Sequence, residues 1–314
     1  MKKTFAGQVL EKIKSWEFVL LIILILEFVI FGAKNPKFLM PNVLLGSIND
    51  IISICIISLF VTFVMITGGI DIQAGSIVGL TSIIIGVVWQ DGGMNIWVAC
   101  LAAVIAAALC GALSGFFVAY CGVQPMVVTL GGSFLYSGIA LLVSKMSATQ
   151  SYKGISGFPE SFTKISSSKL FGVIPNQVVI FAVLTVIAYF LLHKSKYGRK
   201  VFLVGVNVHA AEYSGINSRL VILSTYVLSG ISAAIAGIVL TSYLSTAKSD
   251  IGVTFTLPII TAVVLGGTLS TGGKGSVIGT ALAALVIGFL RFGLPLCFKV
   301  NTQYLDIPAG LLLL

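Results

Sequence analysis

"FVLLIILILEFVIF", from Phe18 to Phe31, is apolar at every position except Glu27. A bilayer offers the backbone no hydrogen-bond partners, so only helices or closed barrels can cross it. Barrel strands alternate apolar and polar residues over about 10 positions. This run does not alternate, and the chain repeats its pattern throughout. Of 314 residues, 57% are hydrophobic and only 9% are charged, with a mean hydropathy of +1.09. A water-facing surface draws on about 25% charged residues. The composition therefore excludes a soluble globule and implies an all-α polytopic membrane protein.

A crossing takes about 20 apolar residues. Ten segments are expected: Trp16–Gly32, Ile51–Thr67, Ser76–Trp89, Met94–Tyr120, Met126–Ser144, Gln177–His193, Leu220–Leu240, Phe255–Leu265, Val277–Leu294 and Gln303–Leu314. The third and eighth are short, which fits tilted, broken or glycine-extended helices. The chain reads as one transmembrane domain over residues 1–314, with a cytoplasmic loop at 194–219. Eight residues from Ile307 to the end reach about 12 Å as helix, so the last helix is expected to be truncated or to begin earlier. Glu11, Lys12 and Lys14 separate Lys2 and Lys3 from the first apolar run, which is not the layout of a cleavable signal peptide.

The formal net charge is +9, but the cations sit at helix ends and in loops, as cytoplasmic Lys and Arg do. Nucleic acid is not the expected partner. Lys2, Lys3, Lys12 and Lys14 place the N-terminus in the cytoplasm. Lys194, Lys196, Arg199, Lys200 and Arg219 place the 194–219 loop there too, and the six intervening crossings agree. The loop from Lys145 to Asn176 then lies outside, although it holds Lys145, Lys153, Lys164 and Lys169. Five cysteines without a CxxC pair read as buried small hydrophobes. His193 and His209 are the only histidines. No metal site or cofactor is expected.

Three stretches carry chemistry. "TGGIDIQAGS" (Thr67–Ser76) interrupts two apolar runs with glycines and an aspartate. Gly68 and Gly69 allow backbone geometry closed to other residues. Asp71, flanked by apolar residues, is a functional candidate by its cost alone. Two readings stand: a short solvated turn with Asp71 capping the next helix, or a break beside a transport route. Glu27 lies roughly 16 Å into the first span without an evident cation to pair with. "GGTLSTGGKGS" (Gly266–Ser276) mimics a phosphate loop, but G-x-x-x-x-G-K-[ST] needs glycine at 268 and Ser or Thr at 275. Those positions are Thr268 and Gly275. Extended to Gly279, its outline echoes Gly68–Gly79, and transporters often carry such repeats around interrupted helices. "VFLVGVNVHAAEYSGINSR" (Val201–Arg219) is too polar to span. Ala210, Ala211 and Glu212 favour helix, and Gly215 and Asn217 signal its end.

"TGGIDIQAGSIVGL", "GVNVHAAEYSGIN" and "ITAVVLGGTLSTGGKGSVIGT" resemble the permease subunits of ribose-type bacterial ABC sugar importers, from about Lys34 onward and in the same order. "FGAKNPKFLMPNVLL", "SGFPESFT" and "AKSDIGVTFTLPIITAVVLGG" resemble the D-type subgroup of that family in autoinducer-2 import systems. The resemblance implies a multi-pass chain of the bacterial inner membrane that pairs with a sister permease as a heterodimer. It further implies cytoplasmic ATPase subunits, an extracytoplasmic binding protein and a small sugar-like ligand. The chain would be no enzyme, ATP being hydrolysed on a separate subunit. Asn207, Ala210, Ala211, Glu212, Ser214 and Gly215 match the helix that docks into the ATPase. Gly68, Gly69, Asp71, Thr129 and Gly131 are the candidates for the substrate pathway. Ribose or another monosaccharide is the alternative cargo. A stand-alone ion-coupled transporter is the alternative class, with only Glu27 and Asp71 to support it.

Overall fold

The computed structural model describes residues 16–149, 153–301 and 304–313. The basic N-terminal stretch expected to be cytoplasmic lies outside them. Among the described residues, seven helices are long and apolar enough to cross a membrane: α1 (Trp16–Lys34), α2 (Pro41–Ile66), α4 (Ile96–Ala119), α5 (Pro125–Lys145), α7 (Asn176–Tyr189, extended by a π turn to Lys194), α10 (Ser218–Leu244) and α12 (Val277–Phe298). Between them stand two shorter apolar helices, α3 (Ala74–Gln90) and α11 (Thr256–Leu265). A final helix, α13, covers Asp306–Leu313. The expected all-α architecture holds, while ten full crossings do not appear: seven long helices and two partial ones carry the described bundle. The second helix also starts ten residues before the expected Ile51, because Pro41 opens it at a position where its missing N–H costs nothing.

At the centre lies α2, buried continuously from Ile51 to Ile66. Around it pack α10, α11, α12 and α7, while α4 lies against α10 and α3. Apolar burial does little to drive helices together in lipid, so close backbone approach and interhelical hydrogen bonds must hold the bundle. Both are present. Gly111 of α4 sits against the Tyr226 carbonyl of α10, and Gly230 of α10 sits against the Ala107 carbonyl of α4. Hydroxyls tie α3 on two sides: Ser76 meets Ser133 of α5 at 2.9 Å, and Thr241 of α10 donates to Ser82 at 2.7 Å. Thr62 of α2 meets Thr280 of α12 at 2.9 Å. Outside this polar packing, α1 joins α12 through aromatic edges, with Phe28 and Phe289 centred 5.0 Å apart.

The stretch after α5 is more than a loop. A two-residue strand β1 (Ile155–Ser156) precedes α6 (Glu160–Ser167), followed by a small hairpin of β2 (Lys169–Leu170) and β3 (Ile174–Pro175). After α10, β4 (Thr246–Ala247) pairs antiparallel with β1, Ile155 opposite Ala247. These pieces gather at one end of the bundle. At the opposite end lie α8 (Lys196–Val206), α9 (Val208–Tyr213) and the 266–276 loop.

Replacing Gly111 or Gly230 by Leu drives a side chain into the facing helix. Overpacking of this kind costs about 1–3 kcal/mol, so each variant should melt earlier than wild type in detergent thermal-shift assays. An unchanged midpoint for both would show that α4 and α10 are not held by this contact.

Candidate functional site

The chain breaks twice. After Ile66 it leaves α2, runs unstructured through Gly68–Gln73 and restarts as α3. After β4 it turns inward and restarts as α11. The two restarts meet: the Thr256 hydroxyl donates to the Ile72 carbonyl at 3.2 Å, and Gly75 and Gly252 touch backbone to backbone. From that point α3 runs toward the β1–β4 end, where Gly86 faces Ile155 and Ala247. In the other direction, α11 runs toward the 266–276 loop. Two partial helices thus present their N-termini to one another inside the protein. Such half-helix pairs mark transport sites in many membrane carriers.

Asp71 is only 2% exposed, so the solvated-turn reading does not hold. Its Oδ1 accepts the Gln73 N–H at 3.0 Å, and the carboxyl also meets the backbone of Ala74, the first residue of α3. Its Oδ2 accepts the Ser229 hydroxyl of α10 at 2.6 Å. A carboxylate there also meets the positive end of α3. Gln73 continues the network, its Oε1 accepting from Ser114 of α4 at 2.6 Å. Ser114 in turn meets Tyr136 of α5 at 3.1 Å, and Tyr136 donates to the Cys110 carbonyl at 2.9 Å. Sequence reading missed Gln73, Ser114, Tyr136 and Ser229, since the partners that single them out lie on other helices and leave no local signal.

Of the other pathway candidates, Thr129 caps the arrangement by donating to the Ile70 carbonyl at 2.9 Å. Gly68 adopts φ +82°, and Gly69 admits the Tyr226 hydroxyl where a Cβ would stand at 2.5 Å. Gly131 is exposed on α5 with open space around it; one residue round the helix, Gly132 faces the Gln73 side chain instead. Glu27 is 7% exposed, and no hydrogen bond reaches its Oε2 among the described residues.

At the far end the expected short helix is α9. Asn207 caps it by accepting the Ala210 N–H at 3.0 Å. The Ser214 hydroxyl donates back to the Ala210 carbonyl at 2.9 Å, and Gly215, at φ +78°, turns the chain away. Glu212 accepts from Ser218 at the start of α10. Ala211 faces inward, while Tyr213 is 94% exposed. The stem that leads into α9 is fixed by a glycine clasp. Gly205 lies on the Ile66 carbonyl and the Gly273 N–H, leaving no room for a side chain. That N–H donates to the same Ile66 carbonyl at 2.8 Å. Gly272 packs on the Gly205 carbonyl and the Gly68 nitrogen. The two echoing glycine-rich stretches therefore meet one another, with the stem of α9 between them.

Comparison with known proteins accords with this architecture. Residues 43–314 match the family described as branched-chain amino acid transport system / permease component. The autoinducer 2 import system permease protein LsrD of Yersinia pseudotuberculosis serotype O:3 (strain YPIII) is 42% identical over 300 residues, 96% of this chain and 90% of its own length. The protein of that name from Yersinia pestis (strain Pestoides F) shows the same identity and coverage. No solved structure matches significantly. Broken helices inside a multi-pass bundle, with the family match across most of the chain, lead to one conclusion: the chain belongs to this permease family and is a transport component rather than a catalytic one.

Proposed function

We propose that this chain forms half of the membrane pathway of an ABC importer for autoinducer-2. The observation that carries the mechanism is the exposed helix α9, whose stem is clasped by glycine backbone to the loop that opens the first helix break. The cargo is supported by the relatives' role in autoinducer 2 import, at 42% identity over 96% of this chain. In this reading the chain sits in the bacterial inner membrane with its N-terminus and the 194–219 loop in the cytoplasm. A sister permease completes the pathway. ATPase subunits bind α9, and a binding protein delivers ligand to the end that holds α6.

Nucleotide shifts the transporter between outward-open and inward-open states only if it has different affinities for the two. The clasp supplies a stiff mechanical link for that difference. A displacement of Asn207–Gly215 pulls on Gly205, and Gly205 has no side chain to absorb it before Ile66 and Gly273 move. Asp71 and Thr129 hold the break in shape beside the route through the bonds already described, and Gly68 and Gly69 through their backbone freedom and close packing. Their contribution is to orient the half-helices, since the Asp71 carboxylate is occupied within the protein.

The deciding experiment is copurification of the tagged chain from its native membrane. Recovery of an ATPase and a second permease is the expected result; recovery of this chain alone, active in ion-driven uptake, would sink the proposal. Asp71→Ala removes two hydrogen bonds, and each buried partner left unmet costs about 1–3 kcal/mol. Uptake should fall by at least about tenfold while the subunits still copurify, and normal uptake at normal expression would refute a role for the break. Gly205→Val should separate ATP hydrolysis from uptake in reconstituted vesicles, because it pries α9 from the Ile66 and Gly273 backbone. Coupled transport at the wild-type ratio would show that the clasp transmits nothing.

A further inference from the structure

At the end opposite α9, a cavity of about 320 Å³ opens between the start of α2, the α6–β3 segment and the end of α10. Its lining is unlike the rest of the bundle. Asn42 and Asn49 project from one face of α2, seven residues apart, and Gly46 between them has nothing within 4 Å of where a Cβ would stand. Across the space stand Ser167, Ser168 and Tyr243. Among the described lining residues Lys169 is the lone cation, and no carboxylate accompanies it. The Asn49 Oδ1 is buried in this wall with no hydrogen-bond partner among the described residues. Leaving a buried amide oxygen unmet is costly, and a wall of amides and hydroxyls around it suits a neutral ligand rich in hydroxyl groups. The volume falls in the range of small-molecule sites, about 300–1,000 Å³.

A second cavity lies beside this one. The Tyr243 hydroxyl donates to Asp50 at 3.1 Å, and Asp50 lines a second cavity of about 260 Å³ together with Thr254, Phe255 and Arg291. Phe255 immediately precedes α11, whose Thr256 is bonded to the first helix break. Adjacent faces of α2 thus line an open polar chamber and a second cavity beside the start of α11, with Tyr243 bonded to Asp50 between them.

We infer that the outer chamber is a receiving subsite for a small, neutral, polyhydroxylated cargo, with Asn42 and Asn49 supplying amide hydrogen bonds. This rests on the importer reading above. The subsite holds the molecule after release from the binding protein and before it passes Tyr243 and Asp50.

The test uses the whole importer in proteoliposomes, with the binding protein outside and autoinducer-2 and ribose as probes. Asn49→Leu keeps the volume and removes the amide. In complexes that retain every subunit, it should raise the concentration for half-maximal uptake about tenfold, equivalent to ~1.4 kcal/mol. In a second variant, Ser167→Cys in a Cys121→Ser background, the transported probe should slow maleimide labelling. Protection by ligand-free binding protein alone would mean the chamber is a protein-docking surface and would overturn the subsite. Unchanged half-saturation together with unprotected labelling would overturn it too. Should wild-type importer carry ribose but not autoinducer-2, with ribose slowing the labelling of the Ser167→Cys variant, the cargo proposed above fails and the subsite stands.

Discussion

Backbone that leaves the helical state at membrane depth must find its hydrogen bonds within the protein, and residues 67–73 impose that demand on everything around them. The Ile66 carbonyl is taken by Gly273, the Ile70 carbonyl by Thr129 and the Ile72 carbonyl by Thr256. Three different parts of the chain are recruited to satisfy one interruption. That requirement places α5 beside the break, brings the start of α11 to the start of α3, and draws the 266–276 loop under the end of α2.

Close approach is what makes the recruitment possible. Glycines at 111, 205, 230, 252 and 272 remove the side chains that would hold the segments apart, and hydroxyls at 76, 82, 229 and 241 then bond across the gaps. Packing of this kind replaces the hydrophobic drive that lipid does not provide. It also makes the assembly stiff along particular lines. The line from α9 through Gly205 to Ile66 is backbone on backbone, whereas the lining of the outer chamber leaves space around Gly46. The chain is therefore tight along the line from α9 to the end of α2 and open around Gly46 at the start of α2.

Several local readings came directly from residue chemistry. Gly215, read as an end signal, does end α9 because it reaches a positive φ, whereas Asn217, read the same way, caps the start of α10 instead. The third and eighth apolar segments are short enough to suggest tilted, broken or glycine-extended helices, and α3 and α11 are shorter than the seven long helices. The role of Asp71 was half legible. Its place among apolar runs flagged it, but the bond that holds it reaches Ser229, 158 residues away. Gly132 rather than Gly131 faces the break because one residue turns a helix by about 100°, and nothing in a run of two glycines says which one points inward.

By itself the sequence determined the helical membrane class, a candidate break at Thr67–Ser76 and the short polar helix, because each follows from composition or from residues adjacent in the chain. The tertiary structure alone decided that the two breaks meet, that the two glycine-rich stretches interlock, and that Asn49 opens onto a polar chamber with Tyr243. Those outcomes join residues far apart in the chain, such as Thr256 with Ile72 and Gly273 with Ile66. Such pairings are set by which backbones can approach closely enough to complete each other's hydrogen bonds, and no local pattern records that.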